Sequence, residues 1–112
     1  MRIAVPLSQG NPSLHFGHCD QFAVADVDPQ NKQISKIEKL QPPSHQPGAL
    51  PEWLHQQDVD LIIAGGMGQR AQALFKQYGI ELILGAQGNT VQGLIDSYVQ
   101  GTLETGDNIC DH

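Results

Sequence analysis

Ile3, Val5 and Leu7 alternate with Arg2, Ala4 and Pro6, the period-two pattern of a strand. The apolar run Phe22–Val27 predicts a second strand, closed by the turn Asp28-Pro-Gln-Asn31. Ile34, Ile37 and Leu40 are spaced by three, as in a helix, yet the segment is short and rich in β-branched residues. We read it as a strand carrying a bulge, which reconciles the two signals. Residues 41–48, Gln-Pro-Pro-Ser-His-Gln-Pro-Gly, exclude regular structure, because proline removes donors and fixes φ. A helix follows, with Pro51 in its first turn and Leu50, Trp53 and Leu54 on its apolar face. Asp60–Gly65 is the most apolar stretch and predicts a strand buried on both faces, as in a parallel sheet. A second helix carries Ala71, Leu74, Phe75 and Tyr78 on one side and stops at Gly79. Ile80–Leu84 predicts another buried strand. Asn89-x-x-Gln92 resembles a capping box for a last helix with the stripe Val91, Leu94, Ile95 and Tyr98, ended by Gly101.

The element order is β-β-β-α-β-α-β-α. Three initial strands can form a meander, and the two following strand–helix units require parallel crossovers. The expected fold class is α/β: three layers, with a mixed sheet of about five strands and helices on both faces. No internal repeat is visible. Residues 1–103 form the expected single domain, and 104–112, which lack periodicity, a flexible tail.

The length of 112 residues suits one domain burying roughly two thirds of its unfolded surface. No run is apolar and long enough to span a bilayer, and the short apolar start reads as a strand rather than a signal peptide. A cytoplasmic location is therefore expected, where Cys19 and Cys110 stay reduced. The net charge of −6 argues against a nucleic-acid partner. Lys32, Lys36 and Lys39, the sole basic cluster, suit a solvated face.

Chemistry concentrates at the two ends. The loop between the first two strands carries His15-Phe-Gly-His18-Cys19, and the chain closes on Cys110-Asp-His112. These stretches hold both cysteines and three of the five histidines. Thiolate and imidazole suit zinc, copper, iron and iron–sulfur species. If the tail folds back to the early loop, the chain builds one sulfur/nitrogen site from both ends, with His45 in the proline loop as a further ligand. Against this, Cys19 alone can equally be a small core hydrophobe. Cys110 in a tail has no core to fill. His55, inside the first helix, is expected to face solvent. Gly65-Gly-Met-Gly68 opens a helix after a buried strand, where free N–H groups favour an anionic ligand. Met67 would then be a soft contact, and Arg70 would face the anion; a tight turn packing helix on sheet explains the same glycines. No P-loop, dinucleotide fingerprint or nucleophile elbow is present. The first strand lacks the carboxylates with which a ribonuclease-H-type nuclease holds divalent ions.

A longer-range pattern joins these pieces: Met1–Pro6, His15-Phe-Gly17, the stretch Val59–Ala71 containing Ala-Gly-Gly-Met-Gly-Gln-Arg-Ala, then Gly79-Ile80, Gly85 and Ser97–Leu103. With these motifs the chain resembles the dinitrogenase iron–molybdenum cofactor biosynthesis family over nearly its whole length. The resemblance implies a ribonuclease-H-like three-layer fold. It also implies a non-enzymatic carrier or scaffold for a metal–sulfur cofactor, iron–sulfur or molybdenum-containing, served by donor and acceptor proteins of cofactor assembly. The ligand assignment rests on this chain's own residues: His15, His18, Cys19, His45, Cys110 and His112 for metal, and Gly65, Gly66, Met67, Gly68 and Arg70 around the cofactor. Two other functions fit the same residues. One is a mononuclear zinc or copper site. The other is a regulatory interaction module whose cysteines sense redox state.

Overall fold

The computed structural model describes residues 1–13, 19–43 and 49–106. Its strands are β1 (Arg2–Ser8), β2 (Asn11–Pro12), β3 (Gln21–Asp28), β4 (Gln33–Leu40), β5 (Leu61–Ile63) and β6 (Glu81–Ile83). The helices are α1 (Ala49–Gln56), α2 (Gln69–Gln77) and α3 (Val91–Gln100). The expected order is present, with the two-residue β2 as an addition too short to leave a periodic signal. The six-stranded sheet runs β4-β3-β1-β5-β6, with β2 paired to β1. Strands β1, β5 and β6 are mutually parallel, while β3 and β4 complete an antiparallel meander with β1.

Two cores lie on opposite faces. Ala4, Phe22, Val24 and Ile62 meet Leu50 and Leu54 of α1 and Phe75 of α2. Ile3, Val5, Leu7, Ala25 and Ile63 meet Leu94 and Ile95 of α3. The chain is thus a three-layer α/β structure with a mixed sheet. β1 is central and buried from Ile3 to Leu7, so its small residue, Ala4, faces the bulky Phe22 side while its larger apolar residues face α3.

Pro6 is unusual in a central strand, because it cannot donate to a neighbour. The structure resolves this by geometry. β5 pairs only with Ile3 and Ala4, and beyond them β2 pairs with Leu7 and Ser8, while the Ser13 N–H donates to the Pro6 carbonyl at 2.8 Å. Pro6 therefore sits where the ladder changes partner.

One of the two steps of three in β4, Ile34 to Ile37, crosses a bulge. Val27 pairs with Ile34 and Asp26 with Lys36, leaving Ser35 as the extra residue; its hydroxyl donates to the Asp26 carbonyl at 3.0 Å. The bulge shifts the phase, so Ile34 packs on the α3 side and Leu40 on the α1/α2 side.

Two local expectations are corrected. The N-cap of α3 is Thr90, one residue later than the Asn89 capping box; its Oγ1 accepts from the Gly93 N–H at 3.0 Å. β6 was expected to be buried on both faces, but it is the edge strand, with Glu81 exposed and Leu82 and Ile83 half-buried. An apolar run cannot by itself distinguish a central strand from an edge strand covered by a helix on each side.

Candidate functional site at the carboxyl edge of the sheet

The parallel strands β1, β5 and β6 end together, so the segments that follow them leave from one edge. Leu7 pairs with Gln21 and Phe22 with Leu40, so the loop into β3 and the segment after β4 sit at this same edge. Residues 8–20, 41–48, 64–68 and 84–90 therefore all leave from or return to it. The connections after β1 and β5 depart toward opposite ends of the sheet. The short β2 lies beside β1 beyond the end of β5, at the kind of edge where open α/β sheets bind ligands.

The glycine turn forms one wall. Residues 64–68 join β5 to α2, and Gly65 and Gly66 are buried. The Ala64 N–H donates to the Ile83 carbonyl at 2.9 Å, the Gly85 N–H to Gly65 at 2.9 Å and the Ala86 N–H to Ala64 at 3.2 Å. Gly85 turns the chain with φ of +70°, a conformation that favours glycine. Among the described residues, no backbone acceptor meets the N–H groups of Gly65, Gly66 and Gly68. Gly68 is the N-cap of α2 without a side-chain cap, and a Cβ there would meet nothing within 4 Å. Donors beside a helix N-terminus are the chemistry that favours an anion. Arg70, in the first turn of α2, is exposed and forms no ion pair with a described residue.

Met67 is placed differently from its neighbours. It is fully buried among the residues of the α1/α2-side core, and its carbonyl accepts from Gln72 Nε2 at 2.8 Å. Its thioether has no open face toward the carboxyl edge, so it anchors the turn.

Cys19 enters the same core at 4% exposure. Burial, ahead of every other influence, pushes its thiol up to about 11, with the nearby Asp20 carboxylate adding to the rise and a backbone hydrogen bond opposing it. The thiol is protonated at neutral pH and a poor nucleophile or redox sensor. A thiol held up from 9.0 in this way contributes stability that is whole below pH 9 and lost as pH climbs toward about 11. Denaturant titrations across that range should show the folding equilibrium weakening by up to about tenfold per pH unit. Cys19→Ala should remove Cys19's share of that slope; an unchanged slope would mean that Cys19 is not its source.

His15, His18, His45, Cys110 and His112 lie outside the described residues. Among the described residues, no three histidine, cysteine or carboxylate side chains gather as a metal site. His55 is exposed, as expected, and rests against the Tyr78 ring at 4.9 Å between centroids. A small cavity of about 20 Å³ opens between Ser13, Ala64, Gly65, Ala86 and Gly88. A larger groove of about 610 Å³ lies between α2 and β6, lined by Gln72, Ala73, Lys76 and Leu82, and holds none of the candidate donors.

The residues that periodicity did not single out are Thr105 and Gly106. Residues 104–106, expected to start a free tail, return to the carboxyl edge. The Gln87 N–H donates to the Glu104 carbonyl at 3.0 Å and the Gly106 N–H to Gly85 at 2.7 Å, with Thr105 opposite Ala86. The rest of the expected tail, residues 107–112, lies outside the described residues.

Fold and edge together define an α/β protein whose mixed sheet gathers its connections at one carboxyl edge. Residues 1–101 match the dinitrogenase iron–molybdenum cofactor family, and the chain belongs to it. It is 28% identical over 109 residues to an uncharacterized protein of Methanocaldococcus jannaschii, covering 93% of this chain and 90% of that one. The crystal structure of PH0822 superposes with a TM-score of 0.84 at 27% identity, covering 95% of this chain and 96% of that one. The apo form of the orange protein of Desulfovibrio gigas superposes with a TM-score of 0.71 at 22% identity, covering 96% and 93% of the two chains. That last likeness is one of fold.

Proposed function

We propose that this chain is a non-enzymatic carrier that binds a metal–sulfur cluster at the carboxyl edge of its sheet and passes it between donor and acceptor proteins of cofactor assembly. The observation that supports this reading is the glycine turn at the carboxyl edge, where the N–H groups of Gly65, Gly66 and Gly68 meet no backbone acceptor among the described residues. A sulfide-rich cluster is typically anionic and suits such donors, while Arg70 adds a positive charge beside them. Membership in the cofactor family supports the cargo class. Histidines 15, 18 and 45 belong to connections that leave this edge, and Cys110 and His112 follow the segment that returns to it. Cys19 stands beneath the edge as a core residue and would ligate only by giving up its proton to the metal. The ribonuclease-H-like classification accords with the mixed sheet between two helical layers.

Asp26 accepts from Arg2 Nη1 at 3.0 Å and Asp60 from the Arg2 backbone N–H at 2.9 Å, both at the amino edge, away from the glycine turn. They neutralise and anchor Arg2 and do not form a pair for divalent ions. Among the described residues, no helix is long and apolar enough to cross a membrane.

The test is anaerobic reconstitution of the metal-free protein with iron and sulfide, with tetrathiomolybdate, and with zinc, followed by gel filtration, elemental analysis and absorption spectroscopy. Co-elution of metal and sulfide with visible absorption is expected. Tight binding of zinc alone, without colour, would replace the cluster by a mononuclear site.

A further inference from the structure

β4 is the sheet edge opposite β6, and no described strand pairs with its outer side. Hydrogen-bond phase tells which of its backbone groups are unused. Val27 and Met1 exchange both bonds, at 2.8 and 3.1 Å, so the Val27 backbone faces β1. Alternation along an antiparallel ladder then turns Ala25 and Ala23 toward β1, and Val24 and Phe22 toward β4. Glu38 and Leu40, opposite the latter two, face β3, and the N–H and C=O groups of Ile37 and Lys39 point out of the sheet. The side chains of Ile37 and Lys39 stand on the α3 face, opposite Ala25 and Ala23. Both are exposed; at 39%, Ile37 is one of two large apolar side chains exposed among the described residues.

We propose that this edge docks an acidic, extended segment of a partner protein, which adds to the sheet beside β4. Residues 32–39 hold three of the chain's six lysines and arginines against one acid, Glu38, in a protein of net charge −6. Lys36 is ion-paired with Glu38, whereas Lys32 and Lys39 are exposed and form no ion pair with a described residue. The chain's basic cluster therefore lines a strand edge whose backbone groups are unused. Main-chain bonds to Ile37 and Lys39 give an added strand its affinity, and the side chains give selectivity. An apolar residue opposite Ile37 and a carboxylate opposite Lys39 complete two cross-strand pairs on the α3 face. Edge lysines and bulges also guard a sheet against self-pairing, and here both effects point the same way. They repel the lysine-rich edge of a second copy and admit an acidic strand. Docking at β4 does not depend on the nature of the cargo.

The probe is the capped peptide Glu-Val-Glu-Val-Glu, titrated into the isotope-labelled full-length chain. Amide hydrogen exchange at Ile37 and Lys39 should slow about tenfold or more at saturation, because both N–H groups become bonded, while the amides of α1 keep their rates. Lys39→Glu sets like charges opposite each other and should weaken binding about two- to tenfold, with Lys39→Gln giving a smaller part of that loss. Ile37→Pro removes an N–H that faces solvent, which an edge strand tolerates, and should abolish the protection at Lys39. Should that variant unfold, the two Lys39 variants decide. Unchanged exchange at both amides overturns strand addition. Equal protection by Lys-Val-Lys-Val-Lys overturns the acidic partner, and protection that grows with protein concentration alone gives the edge to a second copy instead.

Discussion

A chain ending at Gly106 should fold normally and lose its cargo. Every described core residue lies between Ile3 and Leu103, and the hydrogen bonds that join 104–106 to 85–87 are made by residues up to Gly106. Removing 107–112 therefore takes away Cys110 and His112 and leaves the packing that holds the sheet. A lost thiolate ligand should cost at least as much as a lost supporting contact around a metal, about 10–100-fold in affinity. Circular dichroism and the thermal midpoint should match those of the full chain, while metal and sulfide per protein fall to background. Full cargo on the truncated chain would mean that the donors come from histidines 15, 18 and 45 and from Cys19.

Met67→Ala should be the most damaging single substitution at the glycine turn. The side chain is fully buried with Phe22, Leu54, Ile62 and Phe75 around the α1/α2-side core. Truncating a buried methionine costs about 2–5 kcal/mol, from lost transfer energy and the cavity left behind. Against a typical total of about 5–15 kcal/mol, that is a large share. Urea titration should show a much lower midpoint with an unchanged slope, and Met67→Leu should recover most of the loss because it nearly conserves volume. If Met67 served the cargo as a soft contact, the alanine variant would keep its stability and lose metal. The structure favours the first outcome, since the thioether is enclosed by core.

The two positions show how differently function was readable along the chain. Glycine-rich residues 65–68 announce themselves by interrupting an apolar strand, and their place before a helix follows from local pattern. That Met67 turns inward while Gly65, Gly66 and Gly68 meet no described backbone acceptor could not be read there, because both facts depend on what packs above and below the turn. Cys19 is a sharper case. Its neighbour histidines suggest a ligand, yet the chain entering β3 at Gln21 carries it under α1, and burial makes it a protonated core residue.

What the sequence determined by itself is the identity and order of the elements. Period-two and period-3.6 apolar patterns, punctuated by Gly79, Gly101 and the prolines of 41–48, specify strands and helices through local backbone preference and one-sided burial. Even the bulge in β4 was legible, because a slip of phase shows as spacing by three. The motifs at 1–6 and 59–71 also carried the family. Tertiary structure decided which strand is central and which is at the edge, since β5 and β6 both read as buried strands and only the sheet order separates them. It decided that the connections after β1, β4, β5 and β6 share one edge, which follows from strand direction rather than composition. It also decided that residues 104–106 are held. Two backbone hydrogen bonds to 85–87 make that contact, and backbone hydrogen bonds leave no mark on side-chain pattern.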